Sequence, residues 1–162
     1  MRIGVVSDTH NHLPNVARIV ELLNRAGVDR VVHTGDITQA KTLEVLARLD
    51  APLFGVFGNN DVGERAALEA AAARFSITLA DPPLELCWAE RCLVVVHDPR
   101  DLATARRPEH ALALHGHTHL RNIERNGDRL VFNPGESAGH LAGNNAVGVV
   151  ELATLEAEIL RF

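Results

Sequence analysis

Three apolar runs, residues 3–6, 31–32 and 53–57, each stop abruptly at polar residues, and each is followed by a segment of helical spacing. That alternation constrains the fold more than any other feature of the chain. The first run stops at Ser7-Asp8, the second at Thr34-Gly35-Asp36, and the third at Gly58-Asn59-Asn60-Asp61. Val16, Ile19, Val20 and Leu23 form one apolar face over 14–26, with Pro14 in the first turn and Gly27 at the C-cap position. Leu43, Leu46 and Leu49 line a second helix over 38–49, and the alanine-rich stretch 64–75 reads as a third. Strand and helix thus alternate as β-α-β-α-β-α, the pattern of a parallel sheet with crossover helices.

The second half changes character. Residues 84–88 and 92–96 read as a hairpin, and 112–114 as a short strand before Gly116. Residues 122–125 and 129–132 flank Asn126-Gly127, a strong hairpin-turn signal, and 147–152 with 156–160 complete another hairpin. No linker and no repeat separate the halves, and 162 residues suit one domain. The expected architecture is therefore a single α/β domain over 1–162, with two mixed β-sheets packed as a sandwich and flanked by helices.

Composition excludes several classes. Apolar residues at 46% and charged residues at 23% describe a globular chain, and no apolar run approaches the ~20 residues of a membrane span. A formal charge of −5 argues against a broad nucleic-acid surface, though not against a small phosphorylated substrate. The first residues run directly into a strand and Asp8, leaving no secretory signal, so the cytoplasm is the expected compartment. With Ala89-Glu90 as a turn, Cys87 and Cys92 face each other across a hairpin. In a reducing compartment they are expected to be reduced packing residues. Nine histidines in so short a chain need another explanation.

The polar residues gather at strand ends. Asp8, Asp36, Asn59 and His97 each follow an apolar strand, and His117 and His119 follow 112–114. The carboxyl ends of neighbouring parallel strands converge on one crevice. Two carboxylates, one amide and four imidazoles, with no thiolate, suit divalent ions of borderline hardness: Mn, Fe, Zn, Co or Ni rather than Ca or Mg. Asp8-Thr9-His10 and Gly116-His117-Thr118-His119 each place two ligands two residues apart, so both can face one ion from an irregular loop.

The series Asp8-x-His10, Gly35-Asp36, Gly58-Asn59-x-Asp61, His97, Gly116-His117-x-His119 resembles the calcineurin-like metallophosphoesterase superfamily. The length, and Asn133-Pro134-Gly135 after the last motif, resemble its small bacterial and archaeal phosphodiesterase branch, which also includes the retromer subunit of eukaryotes. The resemblance implies a four-layer α/β/β/α fold and two divalent metal ions, with manganese the leading candidate. Asp8, His10 and His119 would hold one ion, Asn59, His97 and His117 the other, and Asp36 would bridge them. Asp36, Asn59 and His97 would be the catalytic core. The implied reaction is in-line hydrolysis of a small phosphodiester by a metal-bridging hydroxide, with no phosphoenzyme.

One position departs from the commoner family pattern. Many members carry His after the motif's Asn, as the acid that protonates the leaving group, whereas this chain has Asn60, which cannot act as an acid at neutral pH. Such an acid is worth ~10²–10⁴-fold in rate, so diesters are favoured over monoesters. Asp98 is a second departure, standing where relatives usually carry Gly.

His12 and Asn60 are candidate substrate contacts, and Asp61 is expected to orient its neighbours rather than bind metal. His33 and His115 read as structural, His110 and His140 as solvent-exposed, and Arg106-Arg107 as an exposed charge pair. Asn133-Pro134-Gly135 is either an ordinary turn or a loop near the metals. Two rival functions stay open: a broad-specificity phosphomonoesterase, and a scaffold of the same fold with weak catalysis. The oligomeric state is left open, a homo-oligomer included.

Overall fold

The computed structural model describes residues 1–162. Its first half is β1 (Arg2–Val6), α1 (Leu13–Ala26), β2 (Arg30–His33), α2 (Ala40–Leu46), β3 (Leu53–Val56), α3 (Arg65–Phe75) and β4 (Thr78–Ala80). The second half is β5 (Leu84–Trp88), β6 (Arg91–Val95), α4 (Leu102–Ala105), β7 (His110–Leu114), β8 (Asn122–Asn126), β9 (Arg129–Asn133), β10 (Ala146–Glu151) and β11 (Glu156–Arg161). These strands form two mixed sheets, ordered β11-β10-β1-β2-β3-β4 and β5-β6-β7-β9-β8. Strands β1 to β4 run parallel in the first sheet, and β6, β7 and β9 run parallel in the second.

Both faces of the central strands are covered, which is why they read as unbroken apolar runs. Ile3, Val5, Val32 and Val56 meet Leu93, Leu112, Leu114 and Phe132 between the sheets. On the outer side of the first sheet, Val6, Val31 and Leu53 pack under Ile19, Leu23, Leu43, Leu46 and Leu68 of the three helices. Val94, Val96, Ala113 and Val131 on the far face of the second sheet pack under Leu102 and Ala105 of α4. Each such Leu or Ile, fully buried, stabilises the fold by ~1.5–3 kcal/mol. No helix is long and apolar enough to cross a membrane.

Several expectations need correction. Helix α2 starts at Ala40 rather than at 38, because Thr38 has a left-handed φ of 69° and Gln39 is extended. It ends at Leu46, short of 49. A 3₁₀ turn over Asn59–Glu64 leads into the third helix, which starts at Arg65, one residue after the expected 64, and β4, α4 and the 3₁₀ turn Pro99–Asp101 had no counterpart in the sequence pattern. His110 is buried, not exposed: it opens β7, and its Nδ1 accepts the Arg107 N–H at 3.1 Å.

Cys87 and Cys92 are joined in a disulfide rather than reduced. The cause is local. Ala89 and Glu90 both take left-handed φ, 46° and 61°, as a two-residue hairpin turn demands. The cysteines are then directly paired on β5 and β6, with Cα atoms 4.1 Å apart.

Candidate metal centre

Asp8 follows β1, Asp36 follows β2 and Asn59 follows β3, adjacent parallel strands of the first sheet. His97 follows β6, and His117 and His119 follow β7, parallel neighbours in the second. The carboxyl edges of the two sheets therefore face one rim. Immediately past the strands the chain bends through left-handed conformations at Asp8, His10, Asp36, His117 and His119, with φ between 42° and 67°. Two glycines make the approach close enough: a Cβ at Gly116 would run into Ser7 and Asp8, and one at Gly58 into Asp36.

All seven expected ligands come together, in two sets. In the first, His10 Nε2 stands 3.4 Å from His119 Nε2 and 3.5 Å from Asp36 Oδ2, and His119 Nε2 stands 3.6 Å from Asp8 Oδ1. In the second, Asn59 Oδ1 lies 2.9 Å from His97 Nε2 and 3.0 Å from His117 Nδ1, and the two imidazole nitrogens are 3.3 Å apart. Asp36 Oδ2 reaches both sets, 3.4 Å from His97 Nε2 as well as 3.5 Å from His10.

Those spacings fit shared cations. Two N or O ligands on one ion at 2.0–2.2 Å stand roughly 3.0–3.5 Å apart in right-angle or tetrahedral arrangements. The electrostatics agree. Asp8 and Asp36 are 0% and 1% exposed, and their only ion-pair partners are histidines. Buried carboxylates need compensating charge, which bound cations would supply. Burial pushes the Asp8 carboxyl up, against the pull of Ser7, His97 and His119. Asp36 is buried too, yet hydrogen bonds to His97 and Asn60 hold it well below the usual carboxylate range.

The surroundings fix which atoms point inward. His97 Nδ1–H donates to the Thr34 carbonyl at 2.9 Å, leaving Nε2 for the second set; burial opposes its protonation, but Asp36 holds its pKa above the ordinary histidine value. His119 Nδ1–H donates to Glu136 Oε2 at 3.1 Å, leaving Nε2 for the first set. His117 uses Nδ1, and its Nε2 lies 3.8 Å from Asp98 Oδ2. Such outer partners set the tautomer and orientation of a ligating imidazole. Asp61 accepts the backbone N–H groups of Asp36, Thr38 and Gly58, an orienting role as expected. Asn60 donates its backbone N–H to Asp36 Oδ1 at 2.9 Å and its side-chain N–H to Oδ2 at 2.7 Å.

His33 is fully buried; its Nδ1 accepts the Gly35 N–H, its Nε2–H donates to Thr9 Oγ1, and burial lowers its pKa to about 3. His115 is also buried, beside the Gly116 carbonyl. Asn133 is more than a turn residue: its side chain donates to the Gly116 carbonyl and Thr118 Oγ1, bracing the loop that carries His117 and His119. His12 is not drawn into the donor sets; it caps α1, its Nδ1 accepting from Asn15 N–H at 3.4 Å. Arg107 pairs with Glu85 at 3.3 Å.

Two residues had no signal in the sequence. Glu136, buried to 0% exposure, follows a loop motif and fits no ligand spacing, yet it contacts His119. His140 is solvent-exposed as expected, but its ring lies stacked on His119. Beside the second set opens a cleft of ≈330 Å³, lined by Asn59, His97, His117, Phe57, Val62 and Pro82 among others. Two arginines reach it, each already paired: Arg65 with Asp81, Arg100 with Asp98.

Comparison with known proteins shows the family. Residues 1–155 match the calcineurin-like phosphoesterase superfamily domain. The chain is 32% identical to the phosphodiesterase MJ0936 of Methanocaldococcus jannaschii, over 93% of each sequence. It superposes on a solved archaeal phosphodiesterase with a TM-score of 0.90, at 30% identity and full coverage of both chains. Vps29 of Chaetomium thermophilum shares the fold alone, with a TM-score of 0.71 at 14% identity over 100% of this chain and 95% of that one. The chain belongs to the calcineurin-like phosphoesterase superfamily.

Proposed function

We propose that residues 1–162 form one catalytic domain, a phosphodiesterase built on two divalent metal ions. The observation that carries this reading is the convergence of seven donor side chains into two sets around Asp36 Oδ2. Asp8, His10 and His119 would hold one ion and Asn59, His97 and His117 the other, with Asp36 shared. Mixed imidazole, carboxylate and amide donors suit Mn, Fe, Zn, Co or Ni, and the family resemblance puts Mn first among them. When bound, the ions supply Lewis acidity toward the phosphoryl oxygens and lower the pKa of a water that attacks phosphorus in line.

The chain's own residues set the rest. Asp36 and Asp8 keep the rim negative enough to demand cations, while Asn59 contributes a neutral oxygen and leaves room for an anionic ester. Asn60 directs its side-chain N–H at Asp36 and has no proton to give a leaving group. That favours esters whose leaving group departs unprotonated. The cleft beside the second set provides room for a second ester substituent, which a diester has and a monoester lacks. The similarity to an archaeal phosphodiesterase supports the same choice.

Bis-p-nitrophenyl phosphate tests the reading. Turnover should vanish with a chelator and return with Mn²⁺, and Asp36→Asn should lose more than the ~10–100-fold typical of outer-shell substitutions. A metal-loaded protein that turns over no phosphate ester, with Asp36→Asn indistinguishable from it, sinks the proposal.

A further inference from the structure

His140 lies outside every motif in the chain, in the loop between Glu136 and Asn145. The loop is closed at its base by a bridge between those two residues and by the Ala146 N–H on the Glu136 carbonyl at 3.0 Å. From there it folds back over the first donor set. The donor nitrogens of His10, His119 and His140 lie within 4.8 Å of one another. The His140 ring is stacked on His119, with centroids 5.4 Å apart, and sits 5.0 Å from the ring of His10.

The buried Glu136 carboxylate holds this arrangement from beneath. Its Oε2 accepts His119 Nδ1–H at 3.1 Å and the backbone N–H of His140 at 3.2 Å, and its Oε1 accepts the N–H of Leu141. One carboxylate thus fixes both the imidazole of His119 and the backbone that presents His140. A side chain that is 57% exposed would ordinarily turn into solvent, whereas here its backbone is anchored and its ring laid against the donor set.

We infer that His140 is an additional protein ligand of the first ion, which rests on the two-metal reading above. The first site then has three imidazoles with Asp8 and Asp36, and the second has Asn59, His97 and His117 with Asp36. An ion that accepts six donors keeps one position at the first site and more at the second. The first site is the tighter and more closed of the two. Substrate therefore approaches over the second, where the ≈330 Å³ cleft opens.

Titration of the metal-free, full-length protein with Mn²⁺ and Co²⁺ by calorimetry tests this, with the visible spectrum of the Co²⁺ form as a second readout. His140→Ala removes ring and donor; His140→Phe keeps a ring to stack on His119 but has no donor. Both variants should bind one of two ions at least ~10-fold more weakly, leave the other unchanged, and alter the Co²⁺ spectrum. Circular dichroism should show both folded. Unchanged affinities and spectra in both variants overturn the inference while leaving the two-metal centre standing. So does unchanged metal affinity with reduced turnover, which would make His140 a substrate contact. Weakened binding in His140→Ala but not in His140→Phe also overturns it, since stacking alone would then suffice. A wild-type stoichiometry below two overturns the centre and this inference together.

Discussion

Asn60 points two N–H groups at the two oxygens of Asp36, so it serves the carboxylate shared by both donor sets. Replacing it with an imidazole would give that position a transferable proton. Asn60→His should therefore raise turnover of an alkyl phosphate monoester, whose alkoxide must be protonated to leave, relative to bis-p-nitrophenyl phosphate, by up to the ~10²-fold at the low end of acid catalysis. Parallel steady-state assays of the two esters check the ratio, and an unchanged ratio would remove the case for diesters made on Asn60. The convergence of the seven expected donors was legible because each follows an apolar run, and a strand end on a parallel sheet has only one place to point. Glu136 and His140 were not legible. Their role depends on a loop folding back across the rim, and no local period encodes that return. His110 misled for a related reason: in sequence it borders polar residues, and its burial comes from pairing with Cys92 on the neighbouring strand.

At the level of elements, long periodic segments were readable and short ones were not. Helix α1 came through because four apolar residues fix its face and Gly27 ends it in a left-handed cap. Strand β4 has three residues and pairs only with β3, so its identity comes from the sheet rather than from its own pattern. The β5–β6 hairpin was readable as a hairpin, while its bond was not, since compartment chemistry and strand register argued in opposite directions. The disulfide closes a loop of only a few residues, with a separation of 5 in sequence, so it stabilises by about 2 kcal/mol on chain entropy. It joins the edge strand β5 to the start of β6, at the opposite end of that strand from His97. Cys87→Val with Cys92→Val should lower thermal stability modestly and leave metal affinity unchanged. Differential scanning calorimetry beside metal titration measures both, and a loss of metal binding would show that the edge hairpin is coupled to the centre.

For the molecule as a whole, His33 ties folding to pH. Buried among Thr9, Gly35 and the sheet, it titrates at about 3 in the folded state, against ~6.5 when unfolded. Between those values the unfolded chain holds the extra proton, so this stability is fully present above pH 6.5 and is lost as pH falls toward 3. The loss amounts to roughly 3–5 kcal/mol. Urea unfolding in a chelator at pH 7 and pH 4 should show it, and His33→Gln should flatten that part of the slope. Equal slopes would assign acid sensitivity to other groups.

The left-handed backbone at the rim has a further consequence for how such a chain can evolve. Five of the seven candidate ligands adopt φ between 42° and 67°, a conformation that costs a residue with a Cβ about 1 kcal/mol or more. The sum, about 5 kcal/mol, is comparable with the whole net stability of many domains, ~5–15 kcal/mol. Without metal, this backbone strain has no bound ion to offset it. His10→Gly should raise the melting temperature of the metal-free form by about 2–4 °C, and lower it below wild type once Mn²⁺ is added, because the linkage to bound ion is gone. Thermal melts with and without metal show whether the order reverses. If it does, only continued selection for catalysis keeps these residues in place, and a lineage released from that selection would drift toward glycine at the rim while its fold grew more robust.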